Sequence, residues 1–445
     1  MSVSDMNSEH LHYFDESLCR LVFASEGEAA YFFGYFDICP WSDDGNTLLC
    51  HRVVSSGAYL TPADTVEVGF FQIDRSAEFQ RISTTGACNW QQGAMLRWCG
   101  ASSERLIFND FDESGYCARI ARRSGGDFAR IRAAIYDVSR DGRSGLSISP
   151  ERLWYTRRSY AYGRQPTSRW GASIVDGDGL GIVDLETDIL RPLVDVRTLA
   201  ERHSVASMEG ALHWVDHPLF SPDGARVAFF HRWLTPEGSF LTRLYSCGVG
   251  GEDLFMYPDG GMYSHLTWRD SDTFVVFARP PGRDIRTDGD AKSLRRSLIS
   301  LGLPVYRRLR GLGVVQKLRN QMFKDRYLEF SVGSGSSRVV APNCTVDGHP
   351  SFCPTAPDVM LTDTYPDERG LQYLLLVNAV TGEFFTLARL PVPRGLDNSS
   401  PNRCDLHPRW SRDGRQICID SMHTGVRQVY VIELLDGVVE RLSEV

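Results

Sequence analysis

His217-Pro218-Leu219-Phe220-Ser221-Pro222-Asp223-Gly224 and His407-Pro408-Arg409-Trp410-Ser411-Arg412-Asp413-Gly414 are two copies of one short pattern, and shorter versions recur as HLTW at 265–268 and HPSFCP at 349–354. Aligned on the central bulky residue, the pattern occurs seven times, at Trp41, Trp98, Val138, Phe220, Trp268, Phe352 and Trp410. Most copies continue into an Asp- and Gly-containing turn and then a β-rich run such as ARVAFFHRW at 225–233 or RQICID at 415–420. A strand, a tight turn and a second strand are what that chemistry specifies. Further short strands complete four-stranded sheets, and seven such sheets predict an all-β, seven-bladed β-propeller spanning 1–445 as one domain. A strand near LCRLVFAS at 18–25 is expected to pair with the C-terminal strands and close the ring, removing an exposed edge.

The gaps between Val138 and Phe220 and between Trp268 and Phe352 are long, so insertions are expected there. The first contains YTRRSYAYGRQPTSRWG at 155–171. The second is expected as a basic, partly helical insertion between blades at 279–340. Within it, residues 292–326 carry ten Lys or Arg against one Asp, interleaved with apolar residues at helical spacing. A solvated flap, peripheral contact with an anionic membrane and a clamp on a polyanionic substrate all suit that pattern.

The 445 residues are 42% hydrophobic, enough for a sizeable core, and the formal net charge of -8 argues against a nucleic-acid-wrapping function. Eleven cysteines without a CxxC pair fit buried, reduced thiols. The first twenty residues lack an apolar core, and no window reaches 18 uninterrupted apolar residues. A cytoplasmic protein is expected, with attachment to the inner face of a membrane as its variant.

One equivalent position per repeat traces a ring around a propeller axis, so His217, His265, His349 and His407 are expected to converge near one mouth of the central channel. Convergent imidazoles with nearby carboxylates suit a divalent metal that keeps open positions for Lewis-acid chemistry. Asp347 and Asp405 lie two residues before His349 and His407, Asp216 adjoins His217, and Asp37, Gln91 and Gln92 occupy nearby slots. The bland alternative is that His-Pro starts each strand and the imidazole bonds a neighbouring backbone. Arg157, Arg158, Arg232, Tyr160 and Tyr162 are candidates for gripping an acidic sugar, and His231 or a tyrosine for carrying a proton.

The blade starts, together with DGHPSFCPTAPDVMLTDTYPD at 347–367 and CDLHPRWSRDGRQICIDSMHTGVRQVYVIEL at 404–434, resemble the oligogalacturonate lyase family; the FSPDG units also resemble Tol-type propeller repeats. The resemblance implies manganese held by three histidines and a glutamine, and cleavage of short uronate oligomers by β-elimination. It carries His349, His217 and His265 over to the metal. The family's paired histidines align with Asp347-Gly348-His349, so one of them is aspartate here, and the family's glutamine falls near Cys344. His407 matches the repeat position. Two functions follow: a metal-dependent lyase-like enzyme acting on an acidic oligosaccharide, or a non-catalytic propeller binding glycan or protein in a membrane-associated polysaccharide assembly system. A hydrolase using the same metal is a third.

Overall fold

The computed structural model describes residues 11–55, 57–74, 76–126, 129–280, 324–397 and 399–444. They form seven four-stranded antiparallel sheets arranged as the blades of a propeller. The first strands of the seven sheets are Ala30–Phe32, Arg97–Trp98, Asp137–Val138, Leu212–Phe220, Tyr263–Trp268, Ser351–Cys353 and Arg409–Trp410. First strands of neighbouring blades touch one another around the axis, as do those of blades three and four, five and six, and six and seven. Six of the seven repeat residues lie within these strands; Trp41 follows the first strand of blade one and bridges to Leu48.

The SPDG unit is a turn with a mechanism. In blade four the Ser221 hydroxyl donates to Asp223 at 2.6 Å and accepts from the Arg226 amide at 3.0 Å, while Asp223 accepts from the Ala225 amide. Gly224 sits at φ +73°, where a side chain would be strained. The same bonds recur around Ser139 and around Ser411, so the turn closes the first hairpin identically in blades three, four and seven.

A second repeated device joins the blades. Where the second strand emerges at the channel mouth, a polar side chain reaches a backbone amide of the next blade. His51 accepts from Ala94, Asn109 from Ile135, Asp363 from His407, and Asp420 from Phe33 and Gly34, all at 2.7–3.2 Å. Each satisfies a buried donor that a bare strand start would leave orphaned. The ring closes as expected: Cys19–Ala24 pairs antiparallel with Gln428–Leu434, making the N-terminal strand the outer edge of blade seven.

Both long insertions leave between the second and third strands of a blade, from the sheet end at which the first strands start. In blade three this is the segment between Ser144–Ser147 and Gly179–Asp184. In blade five it is the segment between Thr273–Ala278 and Arg326–Ser331. The expected bounds of 279–340 therefore change, because 326–331 and 337–339 are the third and fourth strands of that blade, and the excursion lies within blade five rather than between blades. The helix expected over 292–326 lies outside the described residues except for its last three positions. No helix among the described residues is long and apolar enough to cross a membrane.

Candidate functional site

His217 and His265 lie within the first strands of their blades and His349 and His407 two residues before theirs, and two of the four have strained backbone. His217 and His407 have φ of +58° and +44°, conformations that bulky residues adopt only where surroundings enforce them. In blade four the ladder slips between Asp216 and Leu219, and this bulge re-aims His217 towards the axis. All four rings are buried, and they form an arc: centroids are 6.4 Å apart for His217–His265, 4.2 Å for His265–His349 and 4.3 Å for His349–His407. Phe36 touches all four, at 5.2–6.3 Å between ring centroids. It comes from the segment between Phe32 and Trp41, which sends Tyr35 and Phe36 in among the imidazoles.

Hydrogen bonds on Nδ1 decide what each ring offers. His349 Nδ1 lies 2.8 Å from Asp363 Oδ1, and His407 Nδ1 lies 2.7 Å from the Gly34 carbonyl. His265 Nδ1 lies 3.0 Å from Asp347 Oδ1. Carbonyls and ionised carboxylates only accept, so these three rings donate from Nδ1 and, when neutral, keep a lone pair on Nε2. For His349 and His407 that Nε2 is buried with no hydrogen-bond partner. Burial holds the His407 pKa well below the ordinary value and lowers that of His265, against the pull of Asp347. Burial also opposes charge on His349, but Asp363 and Asp405 outweigh it and its pKa is raised.

Ligand atoms of His349, Asp405 and His407 all lie within 4.8 Å of one another, and this is the group among the described residues that could hold a metal ion. Two orphaned imidazole nitrogens and a carboxylate suit a divalent cation of borderline softness. Arg403 Nε bonds both Asp405 oxygens at 3.1–3.2 Å, and its charge holds the Asp405 pKa below the ordinary value in spite of burial. Of the expected set of His217, His265, His349 and His407, the compact group contains His349 and His407 together with Asp405, while the rings of His265 and then His217 continue the arc beside it. Asp347 stands where the resemblance implies a histidine, and it is bonded to His265 and Ser264.

Among the other candidates, Arg157 and Arg232 reach the mouth and Tyr160 covers it. Arg157 bonds Asp216 at 2.7 Å and lies 3.7 Å over the Tyr160 ring; Arg232 is 3.3 Å from the same carboxylate. The two cations overcome burial and push Asp216 down to about 2. The covering segment is bolted in place by Arg152, on the helix Pro150–Thr156, whose buried guanidinium donates to the carbonyls of His213, Trp170, Ala172 and Ser173. Tyr160 meets Tyr35 edge-on, and its phenol oxygen is buried without a partner.

Three candidates lie elsewhere. His231 is on the opposite sheet face from Phe230 and Arg232, inside blade four, with Nε2 3.0 Å from His213 Nδ1 and its ring near Trp233. Strand alternation puts it there. Arg158 stacks on Trp154 and Tyr59, and Tyr162 accepts from Asn109 of blade two. Asp363 and Tyr365 escaped the sequence reading. Tyr365, two residues past Asp363, has its ring centroid 5.8 Å from that of His349 and 6.4 Å from that of His265. The polar end of the run DVMLTD was the available signal. At the mouth the side chains of Asp347 and Arg157 are 27% and 22% exposed.

No protein-family model matches the chain, and no curated protein matches it. Solved structures do. An oligogalacturonate lyase from Vibrio parahaemolyticus superposes with a TM-score of 0.59 at 12% identity, over 96% of each chain. An oligogalacturonate lyase in complex with manganese superposes with a TM-score of 0.60 at 14% identity, also over 96% of each chain. At such identities the likeness is one of fold: the chain is a seven-bladed propeller whose structural neighbours include oligogalacturonate lyases.

Proposed function

We propose that the chain is a cation-dependent lyase-like enzyme that cleaves uronate-containing oligosaccharides by β-elimination at the histidine mouth. The observation that carries this reading is the pair of buried, unpartnered Nε2 atoms of His349 and His407 converging with Asp405. The presence of manganese in a neighbour of the same fold supports a divalent ion there. A divalent ion so held would offset the negative charge that develops on a uronate carboxylate when the neighbouring carbon loses its proton.

The chain's own residues suit the remaining tasks. His265 is neutral near pH 7, is oriented through Nδ1–H by Asp347, and so presents Nε2 as the base. Removal of the proton lets its electron pair form the carbon–carbon double bond as the glycosidic carbon–oxygen bond breaks. Tyr365, beside His349 and His265 with its phenol held protonated by burial and by Asp405, can return a proton to the departing oxygen. Arg157, partly exposed at the rim, attracts the acidic substrate.

Incubation with oligogalacturonates should raise the ultraviolet absorbance of the unsaturated product, with the rate restored by a divalent ion after chelation. The 1–4% exposure of the four imidazoles favours the non-catalytic glycan-binding reading instead. A protein that binds the ion and the oligosaccharide but yields no absorbance across a panel of uronates would establish that reading and refute the lyase.

A further inference from the structure

The mouth is electrically divided. Around His349 and His407 lie three carboxylates, Asp347, Asp363 and Asp405, with Arg403 as their one paired guanidinium. Beside His217 the balance reverses: Arg157 and Arg232 share the carboxylate of Asp216, and burial pushes the other nearby carboxylate, Asp37, up to about 7. A cation is favoured on the first side and an anion on the second.

The hydrogen bonds on His217 agree with that division. Gln92 Nε2 donates to the Tyr136 hydroxyl at 2.9 Å, and the same oxygen lies 2.9 Å from His217 Nδ1. The phenol has one hydrogen, and His217 Nδ1 is the acceptor placed to receive it. If Nδ1–H donated instead, the phenol would take two donated bonds and its own buried hydrogen would have no acceptor, a costly arrangement. Tyr136 is fully protonated, because burial pushes its pKa well above the ordinary phenol value. Nδ1 of His217 therefore accepts, and the neutral ring carries its proton on Nε2, the reverse of the other three histidines. That Nε2 is buried without a partner, in a residue 1% exposed. Phe230 stacks against one side of the ring and Tyr35 meets it edge-on, at centroid distances of 5.7 and 4.8 Å, so the ring is held in this orientation.

We infer that His217 is a hydrogen-bond donor to an anionic oxygen of the ligand, and that the oxygen belongs to a uronate carboxylate held between the Arg157–Arg232 side and the cation side. The substrate class rests on the proposed function; the donor role rests on the bonds above. A neutral imidazole donor stabilises charge as it grows on the carboxylate without adding a titrating group to the rate.

Nitrogen-15 NMR of the full chain should show His217 protonated at Nε2, and Tyr136→Phe should erase that preference. Calorimetry then compares galacturonate with galactose. His217→Leu should weaken galacturonate binding about tenfold or more, whereas His217→Gln, which keeps an amide N–H, should stay near the parent value. Galactose and manganese affinities should not change in either variant. A proton on Nδ1, or a manganese affinity that falls in His217→Leu as it does in His349→Ala, would overturn the inference. Elimination at the parent rate by His217→Leu would also overturn it while leaving the proposed reaction standing. Galacturonate binding that depends on His217 in a protein with no elimination would remove the reaction and keep the donor.

Discussion

Asp363→Ala is expected to cost the protein both stability and its cation. One carboxylate, 1% exposed, accepts from the His349 amide at 2.9 Å, the His407 amide at 3.1 Å and the His349 ring at 2.8 Å. It thereby ties blade six to blade seven and sets the tautomer and angle of one candidate ligand. Alanine leaves two buried amides without acceptors and the imidazole without its orienting partner, a loss of about 3–5 kcal/mol. Urea denaturation should show a lower midpoint, and calorimetric titration with manganese should show affinity reduced by about 10–100-fold, the usual effect of removing a partner behind a metal-bound histidine. Asp363→Asn should fall between, because the amide keeps one accepting oxygen. Unchanged manganese affinity in a destabilised Asp363→Ala would mean that His349 is not a ligand.

Asp405→Asn should produce the larger loss in affinity with a smaller loss in stability. Asn preserves the volume and one oxygen, so a hydrogen bond from Arg403 survives. What disappears is the negative charge that both attracts the cation and pairs with Arg403. Binding should fall by more than about 100-fold, beyond the effect of an outer partner, and isothermal titration measures it directly. Asp347→Asn, which alters the carboxylate that the resemblance would place in the metal shell, should leave cation affinity much closer to the parent while slowing elimination through His265. Equal loss in the two variants would shift the ion towards blade five.

The seven blades were legible because one bulky residue, Trp41 through Trp410, repeats at or just past the end of a first strand, Phe352 excepted, and in most copies is followed by an Asp- and Gly-containing turn. The closing strand Cys19–Ala24 was legible for a different reason: an apolar run ahead of the first repeat has no partner except the open edge of the last blade. The register of the four histidines was legible too, since repeat position fixes radial position. What each ring does with its two nitrogens was not. That depends on Asp363, Gly34, Asp347 and Tyr136, which come from other blades or other strands and leave no spacing signal beside the histidines. His231 lies inside the blade although its neighbour Arg232 points to the mouth, because period-two alternation sends adjacent strand residues to opposite faces. Tyr35 and Phe36 were hidden in YFFGYFD at 31–37, whose first residues end the first strand of blade one and whose second half leaves the sheet to fill the space among the imidazoles.

The most direct test is anomalous diffraction from crystals soaked in manganese. A single peak bounded by His349 Nε2, His407 Nε2 and the Asp405 carboxylate, with His217 turned to another ligand, is the expected result. A peak centred on His265 and Asp347, a peak on His217, or no peak at saturating manganese would contradict it.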